Sequence, residues 1–184
     1  MSNLCQEITL PTKPLTHIDD PDGEIALCIL SAINVGLIKS LDDLEELCEL
    51  AVRALEEIID YQRYPILAAE KSTKARRSLG VGYIGLAHFL AKNKANYADK
   101  EAWKLVHDLS EAFQYYLLKA SNKLAKERGA CEYFNRTKYS DGILPIDTYK
   151  KDVDTIVENK LNYDWDSLRS VSYTHLRAHE TDSY

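Results

Sequence analysis

Hydrophobic and polar positions along the chain change period several times, and each change marks an element. Leu4 to Leu10 reads as a strand, ended by Pro11 and Pro14, which cannot donate to a ladder. A polar turn follows from His17 to Gly23. Glu24 to about Ala32 is a short apolar run that could be a buried strand or the start of a helix, since periodicity does not separate the two. Ser40 then stands as an N-cap, with Asp42 and Asp43 in the first turn of a helix that ends before Pro65. Its apolar stripe is Leu44, Leu47, Cys48, Ala51, Leu55, Ile58 and Ile59. Arg76 to Lys92 carries a second helical pattern through Ile84, Leu86, Ala87 and Leu90.

The longest helix is predicted from about Asp99 to Arg128, with Trp103, Val106, Leu109, Phe113, Tyr116, Leu117, Ala120 and Leu124 on one side and Gly129 as its stop. Cys131 follows in a loop rich in Tyr, Asn and Asp, Gly142 to Pro145 is a turn, and short helices are predicted at Asp147 to Val157 and Asp164 to Arg169. No internal repeat or low-complexity linker interrupts the series. Strand-like segments followed by long helices indicate part of an α/β fold, mostly helical within this piece, with further strands outside the chain.

Composition narrows the function classes. With 184 residues, 45% hydrophobic and 28% charged, the chain suits one globular domain or part of a larger one. A net charge of −6 with scattered basic residues argues against a nucleic-acid surface. No apolar run approaches membrane-spanning length and no signal peptide is evident, so neither membrane nor secretion is indicated and a cytoplasmic location is expected. The cysteines at 5, 28, 48 and 131 lack zinc-ligand spacing and are too sparse for a disulfide scaffold.

Several motifs read as structural. Gly80-Val81-Gly82-Tyr83-Ile84-Gly85 matches the dinucleotide fingerprint in form, but the preceding Lys71 to Ser78 is no strand, and close helix packing is the better reading of the glycines. No cofactor or metal site is therefore assigned. His175 and His179 have the spacing of paired metal ligands on a helix without a third ligand. Cys48 lies on a helix's apolar stripe and reads as core; Cys131 reads as structural.

Asn3, Cys5 and Glu7 differ. On an extended backbone they share a face, presenting an amide, a thiol and a carboxylate that gain nothing from an apolar core. A thiol so flanked can be oriented and coupled to proton transfer. A hydrolytic cysteine would want a histidine base, and none presents itself nearby, which points to radical or redox chemistry. Cys28, inside the apolar run Ile25 to Leu30, is the second candidate thiol; for both, two buried small hydrophobes remain the alternative.

At these residues the chain resembles the catalytic, large subunit of class I ribonucleotide reductase. The similar stretches are Ser2-Asn3-Leu4-Cys5-Gln6-Glu7-Ile8, Leu10-Pro11-Thr12-Lys13-Pro14-Leu15 and Gly23-Glu24-Ile25-Ala26-Leu27-Cys28. They continue through Ala51 to Leu55, Gln114 to Asn122 and Gly142 to Asp152, within a resemblance that covers residues 2 to 169. It implies a fragment of a ten-stranded α/β barrel of two half-barrels, whose finger loop carries the radical cysteine to the centre. By position Cys5 would be that cysteine, its thiyl radical removing the 3′ hydrogen of a ribonucleoside diphosphate. Glu7 would accept the 3′-hydroxyl proton, Asn3 would hydrogen-bond the sugar and the carboxylate, and Cys28 would be half of the reducing dithiol. The substrate-binding set is thus Asn3, Cys5 and Glu7, and the catalytic set adds Cys28.

The resemblance also implies partners: a small subunit that supplies the radical from its metal cofactor, a second large subunit in a homodimer, and thioredoxin or glutaredoxin as reductant. ATP and deoxynucleotide effectors would bind outside this stretch, as would the partner of Cys28, and the piece alone is expected to be inactive. Residues 1–169 are read as a partial catalytic barrel domain. Residues 170–184 resemble a translated transposase sequencing adapter and are read as a non-native tail that contains both histidines. Two other readings compete with the reductase: a non-catalytic helical interaction module, and a thiol–disulfide redox protein using Cys5 and Cys28.

Overall fold

The computed structural model describes residues 10–148, 150, 152, 155 and 160–172. Its elements in order are β1 (Ile29–Asn34), α1 (Asp43–Tyr61), α2 (Leu67–Arg76), β2 (Leu79–Ile84), α3 (Leu86–Lys92), α4 (Lys100–Arg128) and α5 (Trp165–Ser172). Single 3-10 turns at Phe134–Arg136, Lys138–Asp141 and Pro145–Thr148 occupy the loop between α4 and α5. Of the strand expected at Leu4 to Leu10, only Leu10, which is buried, lies among the described residues.

The apolar run left open at 24–32 resolves as a strand. β1 pairs with β2 in parallel, from Ile29 opposite Leu79 to Asn34 opposite Ile84. Alternation then sorts the side chains by face. Ile33, Leu79 and Val81 are buried in a core with α1 and α4, and Tyr83 stacks edge-on against Phe113 of α4 with ring centroids 5.4 Å apart. Leu30 and Ile84, on the opposite face, are 58% and 56% exposed.

Both long helices form in the predicted segments, with two corrections: α1 starts at Asp43 with Asp42, not Ser40, in the N-cap position, and Trp103 of the α4 stripe is exposed. Before α1, the Asp43 carboxylate accepts from the Lys39 and Ser40 amides at 2.7 and 3.2 Å, and Ser40 Oγ accepts from the Asp42 amide at 3.2 Å. That reciprocal arrangement satisfies amides a helix start would otherwise leave unpaired. Leu44, Cys48, Val52, Leu55 and Ile59 are buried, whereas Ile58 is exposed, so the buried stripe includes Val52 and is rotated away from Ile58. Across to α4, Lys119 meets Glu45, Lys123 meets Glu49 and Arg53 meets Glu127. Residue numbers rise together along both helices, so α1 and α4 run parallel. Exposed pairs of this kind contribute little to stability and are better read as fixing register.

The helical reading of Arg76 to Lys92 is corrected: the segment is a turn, the strand β2 and the short helix α3. Gly80 and Gly82 lie inside the strand, where glycine's poor helix propensity costs nothing and β1 supplies a ladder. Their assignment to helix packing is corrected with it, and glycines within a strand do not form the phosphate-facing turn that the dinucleotide fingerprint requires. Gly85 enters α3 with φ of +79°, where an added Cβ would collide with Asn34 Oδ1. The close approach to a helix occurs instead at Gly36, whose added Cβ would lie 2.8 Å from His88 Nδ1.

Helix α2 has no strong stripe to announce it. It buries small side chains, Ala68, Ala69, Ser72, Thr73 and Ala75, and ends at Arg77 in the left-handed region with φ of 54°. The Arg77 guanidinium turns back onto α1: Nε donates to Glu56 Oε1 at 2.6 Å, and Nη1 and Nη2 donate to the Asp60 carboxylate at 3.0 and 2.7 Å.

A second core joins Leu118, Cys131, Phe134, Tyr139 and Leu144 to Trp165 and Leu168 of α5. Buried Glu111 of α4 fastens the approach to α5, accepting from the Asn162 and Tyr163 amides and from Trp165 Nε1 at 3.0 Å. Asp164 caps α5 by accepting from the Ser167 amide at 3.0 Å. The helix continues past Arg169, and its last residue, Ser172, is buried against Asn122. Most of the helix expected at Asp147 to Val157 lies outside the described residues; Asp147 itself belongs to the last 3-10 turn. The described residues form an α/β unit with a two-stranded parallel sheet, short of a closed barrel.

Replacing Arg77 with alanine leaves Glu56 buried without its cation, which is expected to cost about 3–5 kcal/mol. Hydrogen exchange of the β1 and β2 amides should report that loss. Arg53→Ala, whose carboxylate partners are partly in water, should leave the same amides far better protected.

Candidate active site

Cys28 lies immediately before β1, half-buried, with its Sγ 3.9 Å from the Ile29 carbonyl oxygen. Its position is fixed on both sides. The Ile25 amide donates to the Ala68 carbonyl of α2 at 3.2 Å, and Ile29 begins the pairing with Leu79. Counting back by twos from Leu30, Cys28 falls on the sheet face that α1 and α4 leave uncovered. Ala32 stands opposite Gly82, and among the described residues no atom beyond the glycine's chain neighbours lies within 4 Å of where a Gly82 Cβ would be.

Asn3, Cys5 and Glu7 lie outside the described residues, as do His175 and His179. The route from the first three toward Cys28 is nonetheless marked. Lys13 and Glu24 exchange backbone hydrogen bonds of 3.0 Å in each direction, so the segment leaving the Asn3-x-Cys5-x-Glu7 element pairs antiparallel with the one entering Cys28.

Sequence reasoning missed the side chains that hold this pairing. Glu24 is buried; its Oε2 accepts from Arg76 Nη2 at 2.6 Å and its Oε1 from the Tyr133 hydroxyl at 3.4 Å. Arg76 and Arg136 both lie over the Tyr133 ring, at 5.0 and 3.7 Å from its centroid. Burial pushes the Glu24 carboxyl up, but the hydrogen bond and charge of Arg76, with Tyr133 and Arg136, outweigh it and hold the group below its ordinary value. The stabilisation it brings is therefore complete above the ordinary carboxylate range and is lost as pH falls through the lowered folded value. A glutamate beside Gly23 and an arginine pair at 76 and 77 were the available signals, and neither reveals a partner as distant as Tyr133.

The other described cysteines are placed as structural residues. Cys48 is fully buried on α1, and burial alone pushes its thiol up to about 12. Cys131 is buried in the second core. Among the described residues no group of three or more His, Cys, Asp or Glu side chains could hold a metal ion.

The family model for the ribonucleotide reductase barrel domain matches residues 1–175. This chain belongs to the ribonucleotide reductase barrel family. Relatives include the ribonucleoside-diphosphate reductase subunit alpha of Haemophilus influenzae, 63% identical over 168 residues that make up 91% of this chain and 22% of that one. The ribonucleoside-diphosphate reductase 1 subunit alpha of Escherichia coli is 60% identical over 174 residues, 95% of this chain and 23% of its own length. The subunit alpha of Enterobacteria phage T4 is 48% identical over 170 residues, covering 91% and 22%. The chain thus spans less than a quarter of the length of these relatives.

Thiol reactivity should divide along these lines. In the reduced full-length protein at mildly alkaline pH, iodoacetamide is expected to label Cys28 well before Cys48 or Cys131. Peptide mass spectrometry against time reads the order, and early labelling of Cys48 would contradict its burial.

Proposed function

We propose that this chain is part of the catalytic alpha subunit of a class I ribonucleotide reductase, which reduces ribonucleoside diphosphates to 2′-deoxyribonucleoside diphosphates. The observation that carries the reading is identity of 60% and above to relatives named as alpha subunits of ribonucleoside-diphosphate reductase, over 91% or more of this chain. The residues follow roles their chemistry allows. A thiyl radical on Cys5 takes the 3′ hydrogen atom, leaving a thiol and a carbon radical on the ribose. Glu7 accepts the 3′-hydroxyl proton, and Asn3 holds that hydroxyl and the carboxylate together. The 2′-hydroxyl departs as water. Cys28 and a second thiol from elsewhere in the parent supply two electrons and two protons, one proton leaving in that water and the other ending on the 2′ carbon, and become a disulfide. Glu7 returns its proton to the 3′ oxygen, and the hydrogen atom returns from Cys5 to the 3′ carbon.

A ten-stranded barrel closed over the uncovered face of β1 and β2 would keep this radical from water. The small side chains at the paired positions Ala32 and Gly82 leave space over the sheet face among the described residues, which suits a sugar better than a packed core does. The reading brings the family's partners with it: a small radical-generating subunit, a second large subunit, thioredoxin or glutaredoxin to reopen the disulfide, and nucleotide effectors bound elsewhere. The division at residue 170 stays a proposal; residues 170–172 complete α5, and 173–184 lie outside the described residues.

In the full-length subunit assembled with its small subunit, Cys5→Ser is expected to abolish deoxynucleotide formation and Cys28→Ser to abolish sustained turnover. Glu7→Gln should lower the rate by roughly 10²- to 10⁴-fold. Undiminished reduction by Cys5→Ser overturns the proposal. A reversible Cys5–Cys28 disulfide in a protein that never reduces nucleotides would favour a thiol–disulfide protein instead.

A further inference from the structure

The cluster around Glu24 contains nothing that could perform the reduction, yet it sits four residues before Cys28, where the chain at Lys13 bridges to Glu24. Glu24 engages three elements at once. Its backbone exchanges hydrogen bonds with Lys13, on the segment leading from Cys5. Its carboxylate takes the Arg76 guanidinium, on the last residue of α2. The same carboxylate meets the Tyr133 hydroxyl, whose residue is tied back to α2 through its amide and the Ala75 carbonyl at 3.0 Å. Cys28 follows four residues later in sequence, beyond the Ile25 amide that is also fastened to α2.

Stability alone is a poor account of this arrangement. Burying a carboxylate and a guanidinium costs desolvation that their attraction only partly returns, and an apolar substitute of similar volume is often as stable. Arg76 Nε carries a further cost, being buried with no hydrogen-bond partner among the described residues. Directional charge-assisted bonds, however, fix relative position in a way apolar packing does not.

We infer that Glu24, Arg76 and Tyr133 form a positioning clamp that holds the segment entering Cys28 in register on α2, so that its thiol is presented at a fixed place to the ribose. The inference rests on the reductase reading above for its consequence, but not for its geometry. None of the three residues touches substrate in this scheme; they act through the backbone that carries Cys28. Small displacements at a distance suffice, since an error near 1 Å in the placement of reacting groups can cost on the order of 100-fold.

The test uses the full-length subunit with its small subunit, a ribonucleoside diphosphate and a dithiol reductant. Glu24→Gln and Arg76→Leu are expected to lower kcat by roughly 10- to 100-fold with KM unchanged. Both should also speed alkylation of Cys28 in the reduced protein while Cys48 and Cys131 stay protected. Arg76→Lys, which keeps the charge, should recover part of kcat. An unchanged kcat overturns the clamp, as does a lowered kcat with Cys28 alkylated at the wild-type rate. Exposure of Cys48 and Cys131 together with Cys28 would mark a merely structural role and also overturn it. If Arg76→Leu does not fold, the near-isosteric Glu24→Gln decides. A wild-type protein that reduces no nucleotide would refute the reductase reading alone, because the Cys28 alkylation comparison still tests the clamp.

Discussion

Most of the architecture hangs on the turn made at Arg77. A non-glycine residue in the left-handed region costs about 1–2 kcal/mol, and here it is held there by its own side chain. Burial opposes the Arg77 charge, but the Asp60 hydrogen bonds and the nearby Glu56 carboxylate outweigh that and raise its pKa. The guanidinium therefore ties the end of α2 to the body of α1. From that point the chain can only leave as a strand beside β1, because Ser78 and Leu79 are already buried against α1 and its core. The parallel pairing and the placement of both long helices on one face follow from this junction.

A consequence is the uneven covering of the sheet. One face is packed by α1 and α4, while the other presents Leu30, Ala32, Gly82 and Ile84 to nothing among the described residues. Two parallel strands are too few to be stable alone, and each has an unpaired edge. The chain spans 22% and 23% of the lengths of two of its relatives. Cys28 stands at the threshold of the open face. The adjoining arginine, Arg76, reaches the other way from Arg77, so consecutive residues fasten α2 to the helical layer and to the thiol-bearing segments.

The elements legible in the sequence were those whose stabilisation is local. Helix α1 carries its own capping box at Ser40 and Asp43, and α4 its own apolar stripe and a glycine stop, so both could be placed without knowing what they touch. Strand β2 was hidden because Gly80 and Gly82 remove the side chains that would signal a strand, while Ile84, Leu86, Ala87 and Leu90 recur at helical spacing across a strand–helix boundary. Its strand character comes from pairing with β1, which is non-local. Helix α2 was missed because Ala68, Ser72 and Thr73 are buried by close approach rather than by apolar bulk. At the site, Cys28 was legible from its apolar setting, whereas Glu24 acquires meaning only through Arg76 and Tyr133, far along the chain.

The same physics separates the cysteines by use. Cys131 is buried in the second core, and burial holds the Cys48 thiol up at about 12, beyond the reach of neutral pH. Cys28 is on extended backbone, where successive side chains take opposite faces and one of those faces is open. An extended segment has few contacts of its own to hold it, so its placement must come from anchors on either side. Ile25 and Ile29 supply these by backbone hydrogen bonding, and Glu24 supplies a third through its carboxylate. Cys28 is thus half-buried beside a backbone that is held from both sides.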